Sequence, residues 1–254
     1  MIKLERPAKP DDLAKNEDRL REQYRDDIEK KKKDKNKKVT AVWREEYITS
    51  ALSEMSCGKC AYCEKEADPL EVEHYFCKHK YSERVVDWTN LLPVCHRCNT
   101  QKSAHDCEAE PIIDPTVDNP KEHLSYDNFR FSNRNESQKG ECTIAYLRLW
   151  DTDASWKRRK AIYEDVDERI EDCIYRLNHL AEDKPVYKEI LRNKIGKLYK
   201  LAHISHEYSA IYATEILKHP HYGDLKRKLK ESGIWAQDRI SQLEKEANKI
   251  SLAK

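Results

Sequence analysis

The sequence predicts an α+β fold that is mainly α, and three observations carry the prediction. The 254 residues are 37% charged with only five glycines, a composition of long solvated helices rather than of a strand-rich domain. Beyond residue 119, apolar residues recur at three- and four-residue steps over long stretches. Between two Cys-x-x-Cys pairs lie short segments with the alternation and β-branched content of strands. The length suits one large domain or two modest ones, and the chain reads as three regions: 1–38, 39–118 and 119–254.

The first region opens extended, because Pro7 and Pro10 disfavour helix. A charged helix follows, with a thin apolar stripe at Leu13, Leu20, Tyr24 and Ile28. It ends in a lysine run (Lys30, Lys31, Lys32, Lys33, Lys35, Lys37 and Lys38) that reads as a solvated helix end or as a phosphate contact. In the second region, LEVEH is expected to be a strand ending at His74, VVDWTNLLPV a second strand, and a helix is expected after Cys98, capped by Asn99 or Thr100. Pro111, Pro115 and Pro120 mark the exit loop. In the third region, one helix face carries Ile162, Tyr163, Val166, Ile170, Cys173, Ile174, Leu177 and Leu180. The next carries Tyr187, Ile190, Leu191, Ile195, Leu198 and Leu201 after Pro185 in its first turn, and Gly223 and Gly233 punctuate two more helices.

Net charge is +1, so any affinity for nucleic acid must be local. No apolar run approaches the ~20 residues of a membrane span, and MIKLERPAKPDDL lacks the apolar centre of a signal peptide. We therefore expect a cytoplasmic protein that does not enter the membrane. Nine cysteines in a reducing compartment argue for metal rather than disulfides.

Two Cys-x-x-Cys pairs about thirty residues apart fit one tetrahedral zinc site. Cys95 and Cys98 form the second pair; the first is Cys60 and Cys63, or the overlapping Cys57 and Cys60. Cys77, Cys107, Cys142 and Cys173 lack such spacing and read as packing residues or free thiols. Zinc held by four thiolates has no open position for water, so its role is to tie distant segments together. Near it fall Glu73-His74, Asn90, Asn99 and Lys102, the last two on one helix face.

Glu73-His74, Asn90 within WTNLLPVC, and Asn99 within CHRCNTQK, flanked by the knuckles, resemble the HNH endonucleases of the ββα-metal fold over residues 57–106. That resemblance selects Cys60, Cys63, Cys95 and Cys98 as the structural zinc ligands. It implies His74 as general base, Asn90 as the residue that positions the loop and the His74 ring, and Glu73 with Asn99 as ligands of a catalytic Mg²⁺ or Mn²⁺. Family members often carry aspartate in place of Glu73 and proline in place of Cys77. Lys102 is expected to meet a substrate phosphate, with a surface lysine as the alternative. Further segments, MIKLERPAKPDDL, KCAYCEKE, EPIIDPTVDNPKEHLSY and TIAYLRLWDTDASWKRRK, are similar to the HNH nucleases of Septu anti-phage systems, also found in some retrons. This implies DNA cleavage in antiviral defence within a hetero-oligomer, with a PtuA-like ABC/SMC-type ATPase as partner. The chain has no Gly-x-x-x-x-Gly-Lys-Ser/Thr loop, so ATP would be bound by that partner, docked on residues 119–254. The alternative expectation is a zinc-stabilised nucleic-acid-binding or adaptor module without catalysis.

Overall fold

The computed structural model describes residues 1–149, 153–179, 185–235 and 239–254. The chain forms two compact units: Met1 with 3–119 and 138–148, and Ile2 with 120–137 and 149–254.

In the first unit, Leu4 N–H donates to Pro115 O (2.8 Å), and Arg6 Nη1 donates to the carbonyls of Trp88 (2.6 Å) and Leu91 (2.9 Å). Helix α1, Asp11–Lys33, follows with Leu13, Leu20 and Tyr24 buried, and α2 is Glu46–Ser56. Strands β1 (Glu71–His74) and β2 (Leu91–Val94) pair antiparallel, with His74 opposite Leu91 and Glu71 opposite Val94. Helix α3 is His96–Lys102. Leu13, Leu20, Tyr24, Val42, Ile48, Leu52, Val72, Val85, Trp88 and Leu91 share one core, so α1, α2 and the hairpin are held by burial of a common apolar face.

Two expectations are corrected here. The second strand covers only 91–94 of the expected 85–94, because Trp88–Asn90 wind into a 3-10 turn whose cap, Asp87, accepts from Thr89 N–H at 3.0 Å. Helix α3 begins two residues before Cys98, with extended Cys95 at its N-cap, so Asn99 sits inside the helix and caps nothing.

The second unit contains the short helix α4 (Pro120–His123) and a hairpin of β3 (Leu124–Asp127) and β4 (Arg130–Asn133); α5 (Gln138–Tyr146) returns to the first unit. Helices α6 (Asp153–His179), α7 (Pro185–Leu201), α8 (Ser209–Lys218), α9 (Tyr222–Glu231) and α10 (Arg239–Ile250) form a bundle. On α6, Ile162, Val166, Ile170, Cys173 and Leu177 are buried; Leu180 of the expected stripe lies outside the described residues. On α7, Leu191, Ile195 and Leu198 are buried, but Tyr187 and Ile190 are 37% and 40% exposed, so the stripe is narrower than its spacing suggests. The chain end is tied in, with Tyr126 N–H donating to Leu252 O at 2.9 Å. Among the described residues, no helix is long and apolar enough to cross a membrane.

Candidate metal centre and candidate active site

The sulfurs of Cys60, Cys63, Cys95 and Cys98 lie within 4.8 Å of one another. Cys63 Sγ and Cys95 Sγ are 3.7 Å apart. Four sulfurs ~2.3 Å from a tetrahedral zinc stand about 3.8 Å from each other, so the cluster could hold a zinc ion. Backbone bonds set this spacing. Glu64 N–H returns to Cys60 O (2.9 Å), Asn99 N–H to Cys95 O (3.1 Å), and Ala61 N–H to Pro93 O (2.8 Å), which joins the first knuckle to β2. Hydrogen bonds from the thiols of Cys60, Cys63 and Cys98 pull the Cys95 thiol far down toward thiolate, the form that binds metal. Cys57 takes no part: it is exposed and ends α2 in the left-handed conformation. Cys77, Cys107 and Cys173 are buried.

His74 closes β1 and is 3% exposed. Its Nε2 lies 2.8 Å from Val85 O. A carbonyl only accepts, so Nε2 carries the proton and donates, and the basic lone pair is left on Nδ1. Trp43 packs against the ring in a T-shaped contact, with centroids 5.0 Å apart, and Lys78 Nζ sits 4.9 Å from the Trp43 ring centre. Burial, then the nearby Lys78 charge, lowers the His74 pKa to about 3. The fold thus holds a neutral imidazole that the unfolded chain can protonate below its ordinary value of ~6.5. This contribution to stability is complete above that pH and is lost as pH falls toward 3, at up to ~1.4 kcal/mol per pH unit. Urea unfolding of wild type and His74→Gln at pH 7, 6 and 5 is expected to show a steeper loss in the wild type; parallel curves would contradict it.

Asn90 is fully buried and staples the loop that presents Val85. Its Oδ1 accepts from Phe76 N–H (2.7 Å), and its Nδ2 donates to Phe76 O (3.1 Å) and Arg84 O (3.0 Å).

Glu73 and Asn99 do not meet. The two-residue period of β1 puts Glu71 and Glu73 on the side facing α3 and His74 on the other. On α3, Asn99 Nδ2 donates to Glu71 Oε2 (2.5 Å), and His96 Nδ1 lies 2.8 Å from Glu71 Oε1. One turn further on, Lys102 pairs with Glu73 and donates to His74 O at 2.9 Å. The carboxylate beside Asn99 is therefore Glu71, held below its usual range chiefly by the Asn99 hydrogen bond. Lys102, expected to meet a substrate phosphate, is 1% exposed here, with its ammonium held by Glu73 and His74 O. Glu73 Oε1 touches that ammonium without hydrogen-bond alignment, and burial raises the Glu73 pKa.

Removing one partner of a buried ion pair leaves the other uncompensated, at a cost of about 3–5 kcal/mol. Lys102→Met is expected to lose that much in urea unfolding, and Glu73→Gln/Lys102→Met to recover most of it. Additive losses would show that the two groups are uncoupled.

Together, the fold and this site define a mainly helical protein with small two-stranded sheets and a tetrathiolate cluster able to hold zinc. The chain is 33% identical over 244 residues to the Septu protein PtuB of Bacillus thuringiensis, covering 92% of this chain and 89% of that protein. It is 26% identical over 239 residues to the Septu protein PtuB of Bacillus mycoides strain KBAB4, covering 75% and 78%. The chain belongs to the PtuB family of Septu defence proteins. No protein-family model matches it, and no solved structure does.

Proposed function

We propose that this chain is the nuclease effector of a Septu anti-phage complex: an HNH-type, ββα-metal endonuclease that hydrolyses DNA phosphodiesters. The observation that carries this reading is the clamp on His74. A neutral imidazole at the end of β1 donates Nε2–H to Val85 O, and Asn90 fixes the loop that supplies this carbonyl. Such a ring remains unprotonated at cellular pH; buried, it is a weak base, and it takes a proton through Nδ1 only once opening to water returns it toward its ordinary value of ~6.5. The ring is buried against Trp43, so the neighbours that cover it must shift before it meets water.

The donor set on the α3 side of β1 suits a hard cation, because carboxylate and amide oxygens prefer Mg²⁺ or Mn²⁺. His74 leaves β1 on the other face, so the ring and the ion would serve one phosphate only across the end of the strand, where β1 stops at His74. Asn99 and a β1 carboxylate would hold the ion. Glu71 already touches Asn99, and Glu73 would have to leave Lys102. When bound, the ion offsets phosphate charge and polarises the P–O bond. The tetrathiolate zinc would hold the start of α3 against the hairpin. We assign a PtuA-like ABC/SMC-type ATPase as partner on the strength of family membership, with residues 119–254 as its docking region.

Supercoiled plasmid incubated with the chain and Mg²⁺ or Mn²⁺, alone and with the PtuA-like ATPase, is expected to become nicked or linear, and chelation should stop this. The inward pairing of Lys102 with Glu73 favours a second reading, a zinc-stabilised nucleic-acid-binding or adaptor module. Retained binding with no cleavage in any divalent cation would establish that reading instead.

A further inference from the structure

Residues 30–38, KKKKDKNKK, hold seven lysines against one aspartate. Lys30 stands 3.9 Å from Asp27; among the described residues, Lys31, Lys32, Lys33, Lys35, Lys37 and Lys38 pair with no acid, and all are exposed. The C-terminal partial charge of a helix is about half an elementary charge, so one or two lysines would satisfy the end of α1. The remainder form a local positive lobe on a chain whose net charge is only +1.

This lobe is a folded hook. Helix α1 carries four lysines outward to Lys33. Lys37 N–H then bonds Asp34 O (3.0 Å), and Asn36 N–H bonds Asp34 Oδ1 (3.0 Å). The chain returns until Thr40 N–H meets Asp27 Oδ2 at 2.9 Å, so the lysines of both limbs are gathered within about two helical turns of Asp27. The returning limb leads directly into Val42–Arg44, which contains Trp43. Trp43 packs against Tyr24 of α1 (ring centroids 5.9 Å apart) and against His74 (5.0 Å). Trp43 lies five positions after Lys38, at most about 18 Å of extended chain. That length of duplex carries about ten phosphate charges.

We infer that the lysine hook of residues 30–38 is a phosphate-backbone clamp, binding duplex DNA next to the cut without reading its sequence. The inference rests on the nuclease reading for its substrate, but its test does not require cleavage. Lysines that neutralise phosphates release condensed counterions, and each contact contributes about 0.9 to the slope of log affinity against log salt.

The measurement is binding of a labelled 30-base-pair duplex to the full-length chain across a salt series, without divalent cation. Three proteins are compared: wild type, Lys31→Gln/Lys33→Gln/Lys35→Gln/Lys38→Gln, and a control with equal charge loss in the other unit, Lys197→Gln/Lys200→Gln/Lys245→Gln/Lys249→Gln. All eight side chains are exposed, so the folds should be retained, as circular dichroism would verify. The hook variant should lose about 2–4 from the slope and at least about tenfold in affinity near 0.1 M salt, for any duplex sequence; the control should lose less than 1 from the slope. Equal losses in hook and control would mean a diffuse field and overturn the clamp. So would an unchanged hook variant, or a wild type that does not bind duplex at low salt. A wild type that binds through the hook yet cuts no plasmid with Mg²⁺ or Mn²⁺, alone or with the PtuA-like ATPase, would overturn the nuclease reading and leave the clamp standing.

Discussion

Cys95→Ser is expected to unfold the hairpin, α3 and the core they share with α1 and α2, rather than merely to slow any reaction. Cys95 is both the N-cap of α3 and one of the four clustered sulfurs, 3.7 Å from Cys63. A structural zinc supplies on the order of 10 kcal/mol or more of folding free energy, as much as the whole stability of a typical domain. The core nearby has a second reason to depend on the clamp: β1 and β2 are four residues each, too short to persist as an isolated hairpin. Zinc content near zero with lost near-ultraviolet circular dichroism would meet the expectation. A folded, zinc-loaded serine variant would mean that Cys57 can substitute or that three thiolates suffice. Cys57→Ser should retain zinc and fold, since Cys57 lies apart from the cluster.

His74→Ala is expected to lower DNA cleavage about 10²–10⁴-fold while leaving duplex affinity within about twofold, the range a positioned general base contributes. The ring is buried and touches Trp43 and Val85 O, so truncation also leaves a cavity and an unmet carbonyl. His74→Gln separates the two effects, because its amide can still donate to Val85 O but has no basic nitrogen. If His74→Gln restores stability without restoring cleavage, the lost function is proton abstraction. If it restores both, His74 is a structural residue and the hydrolytic mechanism proposed for this site fails.

Much of the site was legible in the sequence, and the remainder was hidden for identifiable reasons. The knuckles were plain because two thiols at two-residue spacing on separate segments have few uses other than metal. The overlap at Cys57 could not be resolved from spacing; in the structure Cys57 is exposed at the end of α2 and the clustered sulfurs are those of Cys60, Cys63, Cys95 and Cys98. The start of α3 was misplaced because capping rules look for Ser, Thr, Asp or Asn, whereas this helix starts from a cysteine inside a knuckle. The period of β1 was right, yet it does not say which of Glu71 and Glu73 meets Asn99. That depends on how β1 is staggered against α3, a tertiary quantity. Lys102 reads as a surface lysine by composition and is buried only because Glu73 arrives opposite it. The β3–β4 hairpin went unseen because its turn places Asn128 and Phe129 at positive φ, where the usual signal is an Asn-Gly pair.

The tight gathering of the four sulfurs has a redox consequence. While zinc is bound, the thiolates are engaged and protected. Once stripped of metal in the presence of an oxidant, four sulfurs this close can couple in three different pairings, each closing its own two loops. A preparation handled with chelator and without thiol reductant would collect as a mixture of cross-linked species. Adding zinc back would not revive it until the sulfur–sulfur bonds had been reduced.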